Sequence, residues 1–213
     1  MTTKKCCYLF GAGEAPCSRP FIGEGALVIA VDGGFSYLQE NGIVPHVLIG
    51  DFDSLVLEEC HVHSETQKIR LNPIKDKTDM AAALEYALNV GCNEFRIYGG
   101  TGCSSHLMAN IALLIKICEN GMKGELFGNK ENITVIRNSR VTFSREESGY
   151  ISVFSVSGKS VGVCEKGLKY TLDNHTLARD NPLGVSNEFI GTESEISVKD
   201  GMLLIIREKE RRT

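Results

Sequence analysis

The stretch Val47-Leu48-Ile49-Gly50-Asp51-Phe52-Asp53-Ser54 runs from an apolar segment directly into two acidic residues. A short apolar run that ends in glycine and polar residues is typical of a buried strand in a parallel sheet. If the backbone stays extended after Gly50, the side chains of Asp51 and Asp53 point to the same face, because strand side chains alternate. The stretch therefore predicts a buried strand with a pair of carboxylates at its carboxyl end.

Strand and helix patterns alternate through the first part of the chain. One apolar helix face is formed by residues at i, i+3, i+4, i+7 and i+8, namely Met80, Ala83, Leu84, Ala87 and Leu88. Thr78 can cap this helix, Gly91 can end it, and a second helix is predicted from Leu107 to Cys118. The alternation predicts an α/β fold with a mostly parallel, Rossmann-like sheet covered by helices. Its strands are predicted at 6–10, 27–31, 47–49, 68–71, 95–98 and 125–127.

The pattern changes after Asn129, where short apolar segments are separated by Ser, Gly and Asn without a helical period. Closely spaced short strands are typical of an all-β unit, and they predict a small C-terminal β-sandwich. The predicted strands are 133–136, 141–143, 150–155, 160–163, 168–170, 195–198 and 202–206. We assign residues 1–130 to the α/β domain and residues 140–213 to the sandwich.

Several acidic residues of the first domain follow a predicted strand or precede a helix, namely Asp32, Asp51, Asp53, Asp76 and Asp79. In open α/β sheets the carboxyl ends of the strands form the ligand crevice. Carboxylates brought together there repel one another unless they take up protons or a cation neutralises them, and hard oxygen donors favour Mg²⁺ with substrate phosphates. A single Asp-Gly is more often a turn, and Asp79 alone fits the first turn of a helix. The repeated placement nevertheless predicts a metal–phosphate site.

The composition argues against several classes of protein. A hydrophobic fraction of 42% with 23% charged residues is ordinary for a globular protein. No apolar run approaches the roughly 20 residues of a membrane span, and a net charge of −4 argues against a general nucleic-acid surface. The eight cysteines contain no CxxC pair, so we expect reduced, structural thiols in a cytoplasmic protein.

Ordered motifs give the chain a resemblance to the thiamine pyrophosphokinase family. The motifs are Asp32-Gly-Gly-Phe-Ser-Tyr-Leu, Gly42-Ile-Val-Pro-His-Val-Leu-Ile-Gly-Asp-Phe-Asp-Ser-Leu, Lys75-Asp-Lys-Thr-Asp-Met-Ala-Ala-Ala-Leu, Gly99-Gly-Thr-Gly, His106-Leu-Met-Ala-Asn, Lys166-Gly-Leu-Lys-Tyr-Thr-Leu and Gly184-Val-Ser-Asn-Glu. The resemblance implies transfer of pyrophosphate from ATP to thiamine, which gives thiamine diphosphate and AMP. It also implies a homodimer whose active sites lie at the subunit interface.

The resemblance implies a role for each matching residue. Asp51, Asp53 and Asp76 would bind Mg²⁺, and Asp32 would lie near the metal and phosphates as part of the catalytic set. The residues that would hold nucleotide or phosphate are Lys75, Thr78, Asp79, Gly100 and Thr101. In the second domain Tyr170 would stack on thiamine, and Ser186 and Asn187 would be polar contacts beside it.

Two departures from the family pattern leave alternatives open. After Gly102 the family commonly has an arginine and an aspartate, whereas this chain has Cys103-Ser104-Ser105-His106, a stretch one residue shorter. His46 also stands where the family usually has an aspartate. A hydroxyl at Ser105 cannot supply an acid's charge, which would fit a thiamine- or nucleotide-binding regulator without turnover. The Asp51-Phe52-Asp53 motif also resembles that of phosphatases with an aspartate nucleophile, although their later acidic pair is not found.

Overall fold

The computed structural model describes residues 5–14, 19–52, 62–72 and 76–209. The chain divides into two compact units, one formed by Met1–Leu113 with Met122–Asn129 and the other by Leu114–Gly121 with Lys130–Thr213. The first contains a parallel sheet with helices and the second contains antiparallel strands, so the predicted mixed α/β class with a separate β region is confirmed. No helix among the described residues is long and apolar enough to span a membrane.

The sheet of the first unit is built from strands that pair in parallel in the order β6-β5-β1-β2-β3-β4. The strands are β1 Cys6–Phe10, β2 Leu27–Val31, β3 Val47–Gly50, β4 Gln67–Arg70, β5 Glu94–Tyr98 and β6 Lys123–Phe127. Each lies within two residues of its predicted position. Parallel pairing brings the carboxyl ends of β1, β2, β3 and β5 to the same edge of the sheet.

Three helices follow strands of this sheet: α1 Gly34–Glu40, α2 Asp79–Asn89 and α3 Ser104–Glu119. As predicted, α2 buries Met80, Ala83, Leu84 and Ala87 and starts at Thr78, whose hydroxyl accepts a hydrogen bond from Ala81 N at 3.2 Å. Helix α1 was not predicted. Its cap position is Gly33, which provides no side-chain hydrogen bond, so its seven residues carry little sequence signal.

Aromatic rings form the centre of one core cluster in this unit. Tyr98 stacks with Phe10 and with Phe127 at centroid distances of 4.9 and 5.0 Å, and Tyr8 and Tyr37 extend the cluster. Burying an aromatic side chain of this kind contributes about 1.5–3 kcal/mol. The loops that follow β1 and β5 therefore start from a rigid base.

The second unit contains two antiparallel sheets. The first has the order β12-β9-β14-β7, with β7 Glu131–Arg137, β9 Tyr150–Ser155, β12 Gly184–Glu188 and β14 Met202–Glu208. The second has the order β11-β10-β13-β8, with β8 Arg140–Phe143, β10 Lys159–Lys166, β11 Leu172–Ala178 and β13 Ser194–Ser197. Side chains of both sheets share one apolar core, including Val153 and Leu203 from the first and Val163 and Ile196 from the second.

The prediction of a strand over 168–170 is wrong. Leu168 makes only an isolated bridge to Phe189, and the backbone N–H of Tyr170 donates to the side chain of Asn187 instead of to a strand. Two strands were missed, β11 and β12. Each lies at the edge of its sheet, and their largely polar, exposed sequences lack the apolar alternation that marks a central strand.

Candidate active site

Asp32 directly follows β2 and lies against the end of β3. Its backbone N–H donates to Ile49 O at 3.0 Å, and its carboxylate occupies the space where Gly50 would carry a side chain, so that a Cβ there would overlap Asp32 Oδ1. Asp32 adopts φ 44°, a left-handed conformation in which aspartate is among the better tolerated residues. A glycine before Asp51 is therefore what allows two acidic positions to approach each other.

The backbone after Asp51 is not extended, which corrects the alternation expected for Asp51 and Asp53. Phe52 has φ 63° and its ring is buried in the aromatic cluster with Phe10 and Tyr98. Burying this ring turns the chain sharply at the end of β3, so strand alternation no longer relates the two aspartates. Asp53 lies outside the described residues.

Two glycine-rich loops approach each other at the same edge of the sheet. Gly11 N donates to Tyr98 O and Gly13 N to Gly99 O, both at 2.8 Å, and Glu14 N donates to Thr101 O at 3.2 Å. A Cβ on Gly13 would lie 2.6 Å from Gly99 O, so only glycine permits this approach. The carbonyl of Gly100 accepts from Asn110 Nδ2 of α3 at 2.9 Å, which fixes the second loop.

The start of α2 meets these loops. Met80 is buried, and its Cε lies 2.8 Å from the position of a Cβ on Gly11. Asp79 lies in the first turn of α2 and Asp76 is exposed in the preceding segment, whereas Lys75 lies outside the described residues. The first unit thus places Asp32, Asp51 and the start of α2 at one edge, beside the glycine loops.

A metal site is not visible in the described residues alone, since no three Asp, Glu, His or Cys side chains among them are grouped to hold an ion. The predicted ligand set includes Asp53, which the structure does not describe. The donors at this edge are nevertheless carboxylate oxygens, which suit Mg²⁺. The set of Asp51, Asp53 and Asp76 stays a prediction.

In the second unit Asn187 holds the segment that carries Tyr170. Asn187 is 4% exposed. Its Oδ1 accepts from Tyr170 N and Glu188 N at 2.9 Å, and its Nδ2 donates to Tyr170 O at 2.6 Å and to Glu165 Oε2 at 2.8 Å. All the donors and acceptors of the amide are therefore used within the protein, so its expected contact with a ligand would require some of these bonds to break.

Tyr170 is 63% exposed although its backbone is hydrogen-bonded to Asn187. Lys169 Nζ lies 5.8 Å from the ring centroid and pairs with Glu188 Oε2 at 2.8 Å. Ser186 is exposed and has φ 57°. The second unit thus exposes Tyr170, and it also exposes Ser186, the residue before Asn187, whose amide holds the Tyr170 backbone.

Comparison with known proteins gives one family match for each of two successive parts of the chain. Residues 20–126 match the family model of the thiamin pyrophosphokinase catalytic domain, and residues 138–203 match that of its vitamin B1 binding domain. The chain belongs to the thiamin pyrophosphokinase family. A thiamine pyrophosphokinase of Bacillus subtilis (strain 168) is 30% identical over 188 residues, which are 86% of this chain and 88% of that protein.

Solved structures of the thiamin pyrophosphokinase family have the same fold. The crystal structure from Geobacillus thermodenitrificans has a TM-score of 0.84 and 29% identity, covering 97% of this chain and 99% of that one. The structure from Bacillus subtilis has a TM-score of 0.82 and 27% identity, covering 97% and 100%.

One of the two departures from the thiamin pyrophosphokinase pattern lies away from the acidic edge. His46 precedes β3, at the amino end of the strand, where its Nδ1 accepts from Val28 N at 3.0 Å. The other departure lies at the glycine loops. Ser105 is in the first turn of α3, with its Oγ 3.2 Å from Cys103 Sγ, and this hydroxyl lowers the pKa of the Cys103 thiol.

Sequence reasoning missed Glu165, a buried acid beneath the Tyr170 segment. Burial raises the pKa of its carboxyl, and the hydrogen bond from Asn187 partly offsets this. The sequence contained a signal for the burial of Glu165. This residue is two positions from the buried Val163 on β10, and strand residues two apart share a face.

Proposed function

We propose that the protein transfers pyrophosphate from ATP to the hydroxyethyl group of thiamine, giving thiamine diphosphate and AMP. The observation that carries this proposal is the match of both family models, in order, to the two parts of the chain. The acidic edge and glycine loops of the first unit support it, because pyrophosphoryl transfer depends on positioning and on neutralising phosphate charge.

In this proposal Asp51, Asp53 and Asp76 hold Mg²⁺ and Asp32 completes the acidic set. The bound ion would neutralise phosphate charge and align the β-phosphorus with the attacking alcohol. A carboxylate of the set that is not bound to metal would orient the thiamine hydroxyl and accept its proton. The close approach of Asp32 to Gly50, next to Asp51, supports this arrangement.

The nucleotide is proposed to contact Lys75, Thr78, Asp79, Gly100 and Thr101. Thr101 is buried and its Oγ1 has no hydrogen-bond partner within the described residues, so a phosphate oxygen could accept from it. The hydroxyl of Thr78 already caps α2, which leaves its second lone pair and its proton for a ligand. Backbone N–H groups of a glycine-rich loop suit phosphate oxygens.

Thiamine is proposed to bind beside Tyr170 and Ser186, with Asn187 close by. Thiamine is a cation with two aromatic rings, and an aromatic face attracts a cation by about 0.5–2 kcal/mol. The exposure of Tyr170 supports this role.

Replacing Tyr170 by alanine is expected to raise the KM for thiamine about tenfold and to leave the KM for ATP unchanged, because the lost contact is worth roughly 1.4 kcal/mol. Tyr170→Phe keeps the aromatic face and serves as the matched control. Steady-state kinetics with each substrate varied in turn measures both constants. An equal rise in both KM values would contradict the stacking role.

We further propose that the protein is a cytoplasmic homodimer with active sites at the subunit interface. Residues 1–130 are proposed to form a Rossmann-like catalytic domain, and residues 140–213 a thiamine-binding β-sandwich. Large apolar side chains exposed along or next to the edge strand β12 support self-association, namely Tyr150, Leu183, Val185 and Ile190. The six cysteines among the described residues are free thiols, in keeping with a reducing compartment.

The proposal is tested by incubating the protein with ATP, Mg²⁺ and thiamine and by quantifying nucleotides and thiamine esters by chromatography. Equal amounts of AMP and thiamine diphosphate are expected, with neither product when thiamine is omitted. Release of ADP or inorganic phosphate without thiamine diphosphate would contradict pyrophosphoryl transfer.

A regulator that binds without turnover is the second candidate, and Ser105 favours it because a hydroxyl stands where the family commonly has an acid. Calorimetry that detects thiamine binding, together with no AMP in the preceding assay, would establish this candidate. Formation of AMP would exclude it.

A further inference from the structure

Strand β12 contains a bulge at the residues next to Asn187. In its pairing with β9, Gly184 lies opposite Val153 and Asn187 opposite Ile151, so Val185 and Ser186 share the single partner position of Ser152. The N–H of Ser186 donates to Ser152 Oγ at 3.1 Å. A bulge of this kind redirects a side chain, and here it sets the direction of Ser186.

The side chain of Glu165 reaches both ends of this bulge from β10, in the facing sheet. Its Oε2 accepts from Asn187 Nδ2 at 2.8 Å. Its Oε1 lies against Gly184, where an added Cβ would be 3.2 Å from Oε1 and 2.7 Å from Val153 O. Glycine at 184 therefore leaves the room that the carboxyl group occupies.

Four hydrogen bonds together set the orientation of the Asn187 amide, and of these four Glu165 supplies the one that comes from a side chain. With Nδ2 directed to Glu165, Oδ1 faces the N–H groups of Tyr170 and Glu188. The reversed amide would place NH₂ against both of these donors and an oxygen against the carboxyl group. The hydrogen bond from Asn187 to Glu165 thus reinforces three backbone hydrogen bonds that favour the same amide orientation, and two of those hold the backbone of Tyr170.

A buried glutamate at position 165 is unfavourable for the stability of the fold. It is 1% exposed, and its Oε1 has no hydrogen-bond partner within the described residues. Burying a carboxyl group without full hydrogen bonding is unfavourable whether the group is charged or neutral. An apolar side chain of similar length would fill the space without that cost, so packing alone does not account for the acid.

We propose that Glu165 is a positioning residue for thiamine binding: it orients Asn187, which fixes Tyr170, and it supports the bulge that directs Ser186. The inference rests on the proposed function of Tyr170 and Ser186. It predicts that the oxygen acceptor of residue 165, and not its charge, determines the affinity for thiamine.

The test compares Glu165→Met, which keeps the length and removes the acceptor, with Glu165→Gln, which keeps an acceptor and removes the charge. We expect Glu165→Met to raise the thiamine KM about tenfold, the loss of one well-placed hydrogen bond, without changing the ATP KM. Glu165→Gln is expected to recover most of the loss. Glu195→Met, the same change on the neighbouring strand β13 in a surface ion pair with Arg140, is the matched control.

Two results would overturn the inference: a wild-type thiamine KM in Glu165→Met, or an equal rise in Glu165→Gln, which would assign the effect to charge. If Glu165→Met does not fold, Glu165→Leu replaces it.

A readout independent of activity separates this inference from the proposed function. The chain has no tryptophan, so Tyr170→Trp gives a single tryptophan. Its anisotropy, with excitation selective for tryptophan, should fall when Glu165→Met is added and stay high with Glu165→Gln.

If the wild-type protein makes no thiamine diphosphate, the proposed function fails, and the anisotropy still tests whether Glu165 orders residue 170. Equal anisotropy in all three backgrounds would remove the positioning role.

Discussion

Replacing Asp51 by asparagine is expected to lower kcat at least a hundredfold. Asp51 follows β3 and lies next to Gly50, the residue that gives room to the Asp32 carboxylate. Asparagine keeps the size of the side chain but removes the charge that would hold Mg²⁺ near the phosphates. Removing one preorganised electrostatic group of this kind typically costs about 10²–10³ in kcat.

The fold should survive this change, with a free energy of unfolding within about 1 kcal/mol of the wild-type value. Asp180→Asn, which makes the same change at an exposed turn of the second unit, is the control for charge alone. Rate measurements over a series of Mg²⁺ concentrations add a second readout, because a lost ligand should raise the concentration that gives half-maximal rate. Wild-type kcat in Asp51→Asn would exclude Asp51 from the metal site.

Replacing Gly99 by alanine is expected to destabilise the first unit by about 3 kcal/mol, the sum of a left-handed backbone and an overpacked contact. Gly99 has φ 64°, and its Cβ would overlap Gly11 O. The new methyl group would push apart the two glycine loops, so nucleotide binding should weaken as well. At this chain length the loss corresponds to a fall in Tm of roughly 6–12 °C.

Gly91→Ala is the matched control for Gly99→Ala. Gly91 has φ 86°, also in the left-handed region, but a Cβ there would meet no atom within 4 Å. Its loss should be about 1 kcal/mol, the cost of the backbone conformation alone. Thermal unfolding of both variants measures the difference; equal shifts in Tm would show that the approach of the two loops contributes nothing to stability.

The parallel sheet and helix α2 were predictable because their signals are local. The apolar run Val47–Gly50 and the helical period that begins at Met80 each report burial directly, and Thr78 identified the start of α2. Strands β11 and β12 were not predictable, because edge strands bury few side chains and their sequences remain polar. Their places are determined by pairing with β10 and β9.

The candidate site was predictable in its composition and less so in its geometry. The acidic residues could be assigned to the carboxyl ends of strands, yet the turn at Phe52 depends on where its ring is buried, which a sequence pattern does not specify. Asn187 could be identified by resemblance, but its bonds to Tyr170 and Glu165 join positions 17 and 22 residues apart. Contacts of this range depend on the tertiary fold.

His46 links the amino ends of strands β2 and β3. Its imidazole and its backbone N–H both bond to Val28, and so they fasten β2 to β3 at the amino end of the strands. A sheet anchored at one end resists slippage of its strands. The two strands should therefore keep their register when a residue of the acidic loops at the opposite end is replaced.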